Sequence, residues 1–193
     1  MKKVYHYTKG YKVGSIILNQ EINAIAPAIV GLPNENLVWL TKEDSYPTSA
    51  LPMIPELPET SLINQLKSRA PVDHLKVAKY LGGIWRFAFD FDKHPEIKAW
   101  YGSYQRNKLV RTPYGKTLEL TAKKVGDRVD LWAIASRRLL INNSTLQQLT
   151  PQGWVSRISF FKEGNESMVE EFNGASSSKI VRDSMRLKQS LLG

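Results

Sequence analysis

Val4-Tyr5-His6-Tyr7-Thr8 sets one imidazole in the middle of a β-type run, and Val38-Trp39-Leu40-Thr41 follows as a second strand of polar and aromatic residues. Alternation puts Val4, His6 and Thr8 on one face and Tyr5 and Tyr7 on the other. His6 then points at whatever that face covers, either a ligand or the core. A ribose diol suits a neutral imidazole or a hydroxyl held at fixed distance, and a strand holds distance better than a loop. The two segments together suggest a nucleotide pocket. Further on, Ile84 to Phe91 sets Arg86 on its sparse face, opposite Trp85, Phe87, Phe89 and Phe91. That guanidinium could grip a diphosphate bidentately, and could equally form an ion pair with Asp90 or another carboxylate.

A second chemistry is written in charge. The net charge is +9, and residues 98 to 138 hold ten basic side chains against three acids, whereas residues 162 to 193 carry five of each. Trp100, Tyr101, Tyr104, Tyr114 and Trp132 are interleaved with the basic region. Cations neutralise phosphates while aromatic faces stack on unpaired bases, which is how single-stranded nucleic acid is held. Lys108, Arg111, Lys123, Lys124, Arg137 and Arg138 are the candidate contacts. A basic solvated surface over ordinary core aromatics is the alternative reading.

Other chemistries drop out. Without cysteine there is no disulfide, thiolate metal site or cysteine nucleophile. The three histidines, His6, His74 and His94, are not at metal-ligand spacing, so no metal cofactor is expected. No apolar run reaches membrane-spanning length and the polar start is no signal-peptide core, which makes a cytoplasmic protein with no membrane partner the expectation.

These residues need elements to position them. At 193 residues, 42% of them hydrophobic, the chain suits a single globular domain spanning 1–193. Tyr11 to Asn19 reads as a short helix with Val13, Ile16 and Ile17 on its apolar face. A turn-rich stretch over 26–36 leads to the second strand, and Pro47, Pro52, Pro55 and Pro58 mark an irregular cover. Helical patterns follow over 59–66, from Pro71 to Tyr80, over 95–105 and over 116–125. Gly82-Gly83 precedes the clear strand of Ile84 to Phe91, Val129 to Ala135 reads as another strand, and Trp154 to Phe161 as the last. Residues 162–193 read as a C-terminal helical extension, its helix over 176–192 docking on the body or, in a sharper reading, binding a partner. Strands too irregularly spaced for a βαβ series indicate an α+β fold.

His6-Tyr7-Thr8, the adjacent Ile16-Ile17-Leu18 helix, the Val38-Trp39-Leu40-Thr41 strand and Trp85-Arg86-Phe87 together resemble the histidine-bearing branch of the ADP-ribosyltransferase superfamily. That branch includes diphtheria-toxin-like enzymes, poly-ADP-ribose polymerases, rifampicin-inactivating transferases and the DNA-modifying toxins of toxin–antitoxin pairs. The resemblance implies a split mixed or antiparallel sheet with flanking helices, clamping NAD as substrate in a cleft. It implies that His6 hydrogen-bonds the adenosine ribose with Tyr7 and Thr8 beside it, and that Trp39 and Thr41 belong to the pocket. The cationic nicotinamide ring gains from an aromatic wall; Tyr46 takes that place by position, with Trp39 and Tyr80 behind it, and Arg86 takes the diphosphate. Family members place a glutamate late in the chain, at the start of a strand, to stabilise the oxocarbenium-like transition state. Here the matching stretch, Leu131 to Leu139, offers Ser136 or Arg137 instead. Asp130 is the nearest carboxylate and the candidate catalytic residue; Glu170 and Glu171 follow the last clear strand.

The expected function is mono-ADP-ribosyl transfer from NAD to a protein or nucleic acid, the 98–138 region guiding an acidic target. The alternative keeps the fold without the reaction, binding nucleic acid or an acidic protein partner through that region. A small interaction protein docking through its last helix is the third reading. By analogy with the family, a toxin, a defence factor or a phage counter-measure would suit such a chain.

Overall fold

Strand β1 (Lys3–Lys9) and strand β4 (Ile84–Asp90) are rich in aromatic and β-branched residues, and they pair antiparallel from Lys3 opposite Asp90 to Lys9 opposite Ile84. Around them the computed structural model, which describes residues 2–24, 37–48, 51–52, 54–68, 72–163 and 165–192, builds an eight-stranded sheet. On the β4 side come β8 (Ser144–Thr150), β9 (Gly153–Glu163) and β10 (Glu166–Glu171). On the β1 side come β3 (Val38–Thr41), β6 (Trp132–Ala135) and β5 (Ile97–Ala99). Each of these neighbouring pairs is antiparallel, as is a separate ribbon of β2 (Glu21–Ile22) with β7 (Leu139–Leu140). The protein is α+β, and no helix among the described residues is long and apolar enough to cross a membrane.

Alternation along the strands divides the core by face. Val4, Val38, Leu40, Phe87, Phe89, Ala133 and Ala135 pack on the first face, against Val13, Ile16 and Ile17 of α1 (Gly10–Asn19) and Ile180 of α6 (Ser177–Leu192). The two helices meet closely: the Gly14 amide donates to Ser184 Oγ at 2.9 Å, and a Cβ on Gly14 would sit 2.9 Å from the Val181 carbonyl oxygen. The 176–192 helix thus docks on the body.

The second face is covered in two parts. Trp39, Trp132 and Ile134 pack with Trp100 and with α4 (Tyr104–Leu109) and α5 (Pro113–Lys124) through Leu109, Leu118 and Ala122. Tyr7, Ile84, Leu149 and Trp154 pack with Tyr46, Ile54 and Leu57, and with Val77 and Leu81 of α3 (His74–Leu81). Helix α2 (Leu62–Ser68) follows a 3-10 turn at Pro58–Thr60. Between the two covers, Tyr5, Thr41 and Arg86 share the face.

Several expectations are corrected. Residues 162–193 are not a helical extension throughout, since Glu166–Glu171 form β10, paired to β9 from Glu166 opposite Glu163 to Glu171 opposite Ile158. The 95–105 stretch is edge strand β5 and then a turn, because Ile97 and Ala99 align with Ala135 and Ala133 of β6; the helix starts only at Tyr104, capped by Ser103 Oγ. Val129–Leu131 is a 3-10 turn, so the strand begins at Trp132. The 26–36 connection and Pro71 lie outside the described residues.

Candidate functional site

His6 stands where the sheet opens. Strand β1 matches β4 along its whole length but shares a single register pair with β3, Tyr5 opposite Thr41. Beyond that pair the strands diverge, and the His6 side chain bridges them with Nδ1 3.0 Å from the Trp39 carbonyl oxygen. A carbonyl only accepts, so Nδ1 carries the proton and Nε2 is left with a lone pair. Nε2 makes no hydrogen bond to a described residue, and the side chain is only partly buried. Burial lowers the imidazole from its usual 6.5 to about 4, helped by the charge of Lys12 and opposed by the Trp39 carbonyl. At neutral pH His6 is therefore an uncharged, oriented acceptor. Thr8 shares its face and is buried.

Arg86 occupies the other face. Its guanidinium is stacked 3.9 Å from the centre of the Tyr5 ring and 4.1 Å from Trp154. Nε donates to Gln147 Oε1 at 2.7 Å, and Nη1 donates to the Asp44 carbonyl at 2.9 Å and to its carboxylate. Tyr7 hydroxyl lies 3.3 Å from Nη1 and donates to the Glu43 carbonyl at 2.9 Å, while Trp154 Nε1 donates to the Asp44 carbonyl. These bonds tie the loop after β3 to β1, β4 and β9. Burial raises the Tyr7 hydroxyl well above its ordinary range, against the pull of Arg86, and raises Tyr46 likewise.

The residues expected to share one nucleotide pocket therefore divide. His6 and Thr8 lie on the first face; Tyr7, Tyr46 and Arg86 converge on the second. Trp39 and Thr41 are also on the second, Trp39 with its ring centre 5.0 Å from that of Trp100 and 5.5 Å from Trp132, and Thr41 with its hydroxyl accepting from the Glu43 amide. Tyr46 is 5% exposed and edge-on to Tyr7. Tyr80 is 43% exposed on α3. Asp130 is exposed in the 3-10 turn, with both oxygens held by Arg128 at 3.0 and 2.7 Å. Glu170 is exposed on β10, and Glu171, at the end of that strand, accepts from the Ser177 amide and hydroxyl.

No protein-family model, curated protein or solved structure matches this chain.

The basic region resolves into distinct roles. Arg106 is a structural cation: Nε donates to Glu119 Oε1 at 2.7 Å and Nη2 to Oε2 at 3.2 Å, with Trp100 Nε1 donating to the same carboxylate. Burial works to raise the Glu119 carboxyl, but those bonds prevail and it is lowered. Lys108, Arg111, Lys123, Lys124, Arg137 and Arg138 are all exposed, Arg138 lying 3.2 Å from Glu21. Gln105 Nε2 donates to Ser136 Oγ, which brings the Arg137 turn beside α4. There a cavity of about 530 Å3 is lined by Lys98, Tyr101, Tyr104, Gln105 and Ser136, with Tyr104 73% exposed. Trp100 and Trp132 are core; the Tyr114 side chain is outside the described residues. Among the described residues no cluster of three metal-ligating side chains occurs.

Sequence reasoning missed Tyr5, Asp44, Gln147 and Trp154 as partners of Arg86. Tyr5 carried a signal, since it alternates onto the face of Tyr7 and Arg86. Asp44 carried none, because only the path of the loop brings it there.

Proposed function

We propose that the protein binds NAD at the opening between β1 and β3 and transfers its ADP-ribosyl group to an acceptor. The observation that carries this reading is the fixed tautomer of His6, with Nδ1–H on the Trp39 carbonyl and Nε2 unengaged among the described residues. An uncharged nitrogen acceptor on a rigid strand is suited to a ribose hydroxyl, which donates to it. The resemblance on His6-Tyr7-Thr8 supports the same assignment. In the reaction the bond from the ribose to the nicotinamide nitrogen breaks, nicotinamide leaves with that electron pair, and the acceptor nucleophile bonds to the ribose carbon as it loses its proton. Neither Asp130, held by Arg128, nor Arg86, stacked between Tyr5 and Trp154, is assigned a step.

Calorimetry with NAD, together with nicotinamide release, tests the proposal. Binding by the native protein and its weakening by about tenfold in His6→Ala, at a nearly unchanged melting temperature, is the expected result. NAD affinity unchanged in His6→Ala, or absence of binding in the native protein, defeats it.

A second reading has its own observation. Tyr101 and Tyr104 stand exposed beside Lys98 and the Arg137 turn, an arrangement that suits stacking of unpaired bases and neutralisation of their phosphates. Under this reading Tyr104→Ala weakens binding of single-stranded oligonucleotides, and affinity falls steeply from low to moderate salt. Salt-independent affinity rules it out.

A further inference from the structure

The eight-stranded sheet ends on one side at β5, three residues long, and on the other at β10, twice that length. All six residues of β10 are exposed, and β9 is its one partner among the described strands. Just past β10 the Phe172 amide donates to the Arg157 carbonyl at 2.8 Å, in the same register, so Phe172 bonds toward β9. Residues of an antiparallel ladder alternate between bonding one neighbour and facing away from it, which turns the amides and carbonyls of Ser167, Val169 and Glu171 outward. A row of such groups is a template for one more strand.

The register also fixes which side chains that strand would meet. Ile158 and Phe160 of β9 belong to the first-face core, which puts Ser159, Phe161 and Glu163 on the second face, with Glu170, Met168 and Glu166 opposite them. Along the outer edge of that face the side chains therefore run carboxylate, thioether, carboxylate, and Met168 is 38% exposed. Glu163 adds a third carboxylate, and the described residues of the hairpin bring no base to this face. The first face differs. There Lys162 stands opposite Ser167, and Glu171 is occupied by the Ser177 amide and hydroxyl. Arg157, the other base of β9, is engaged by Gln148 and the Asn173 carbonyl.

Charge selects among occupants of the edge. Two copies paired edge to edge would gather Glu163, Glu166 and Glu170 of both onto one face, and that like charge opposes self-association. A neutral strand would gain the backbone ladder alone. An extended peptide whose alternate residues are basic, apolar and basic gains the ladder and also meets Glu166, Met168 and Glu170 in turn, because side chains two apart share a face.

We propose that the β10 edge is a docking site for a basic extended peptide, which joins the sheet as an additional strand antiparallel to β10. The proposal rests on neither reading given above, since none of its residues belongs to the His6 opening or to the 98–138 surface.

Fluorescence anisotropy with the labelled peptide Thr-Lys-Thr-Val-Thr-Lys-Thr, and with its counterpart carrying glutamine for lysine, tests it. The molecule as a whole carries +9 and repels a cation, so tighter binding of the lysine peptide has to come from local acid. That peptide is expected to bind several-fold more tightly than its counterpart, the worth of two exposed ion pairs. Glu166→Lys combined with Glu170→Lys should erase or invert the preference. Val169→Pro deletes one outward amide at an edge position where proline is tolerated, and should weaken both peptides at least about tenfold with the melting temperature retained. Equal affinity of the two peptides, no binding of the lysine peptide at millimolar concentration, a preference that survives the double charge reversal, or full affinity in folded Val169→Pro overturns the proposal. A native protein that sediments as a dimer and becomes a monomer in Val169→Pro gives the edge to a second copy and overturns it too. If Val169→Pro does not fold, the charge reversal decides alone.

Discussion

His6 and Arg86 lie on strands β1 and β4, which are neighbours in the sheet, and both are polar groups near its centre, yet the two faces treat them in opposite ways. Arg86 is stacked between two aromatic rings and bonded to Gln147, Tyr7 and Asp44. His6 has one nitrogen engaged by the main chain and the other unengaged among the described residues. A polar side chain whose bonds are made within the protein holds structure together. One that is oriented, uncharged and half used is equipped to meet something else.

The sharpest way to break this contrast is to exchange the outcomes of removing each residue. Arg86→Ala should be the most damaging substitution, lowering unfolding free energy by about 3 kcal/mol, because it empties a stacked site and orphans Gln147 and the loop after β3. Thermal or urea unfolding measures this; a loss no greater than that of His6→Ala would erase the distinction. Next comes pH. The folded-state value of His6 is depressed to about 4 from 6.5, so the unfolded chain takes up this proton first as pH falls. Stability contributed by neutral His6 is fully present above about 6.5 and is lost progressively toward pH 4, and His6→Gln should flatten that part of the profile. Other groups titrating in that window remain in both proteins, so the difference between the two curves is the measurement. NAD affinity should fall over the lower end of the same range, as Nε2 gains a proton and ceases to accept.

A smaller effect belongs to His6→Ala in binding, with a loss of about tenfold in NAD affinity, the worth of one hydrogen bond. Smallest is Asp130→Ala. Its carboxylate is exposed and occupied by Arg128, so melting temperature and nicotinamide release should both stay as they are. A lost activity there would assign a catalytic part to the turn before β6 and move the reacting centre away from the β1–β3 opening.

Much of the frame was legible in sequence, because alternation is a strong signal where a strand is buried on one side. The β1 alternation separates His6 from Tyr5 and Tyr7, and the structure keeps that separation. The same rule, carried one step further, excludes Asp90 as the partner of Arg86. Two residues four apart on a strand stand about 13 Å from each other, so they share a face without touching. Asp90 instead meets Lys3, 2.7 Å away across the β1–β4 pair, and that contact lowers its carboxyl against the opposing effect of burial. Strands β8 and β10 were illegible for a different reason. Ser144–Thr150 and Glu166–Glu171 are polar, and they become strands because β4 and β9 offer ladders to pair with, not through a hydrophobic pattern of their own. The site was legible only in part. Residues on one strand could be assigned to faces, but Asp44 and Trp154 reach Arg86 through a loop and a hairpin whose course local sequence does not specify.

The bond from the Gly14 amide to Ser184 Oγ joins positions 170 residues apart, and the first helix has its closest helical neighbour in the last. During synthesis, α1 is made early, but the side of it that meets α6 stays uncovered until nearly the whole chain has followed. Closing so long a loop raises the entropic barrier to folding, and slow folding through partly open states is the consequence. Cutting the chain before Ser177 would strip Gly14 of Ser184 and Val181 and bare the side of α1 that faces them, a lesion at the beginning of the molecule caused by a loss at its end.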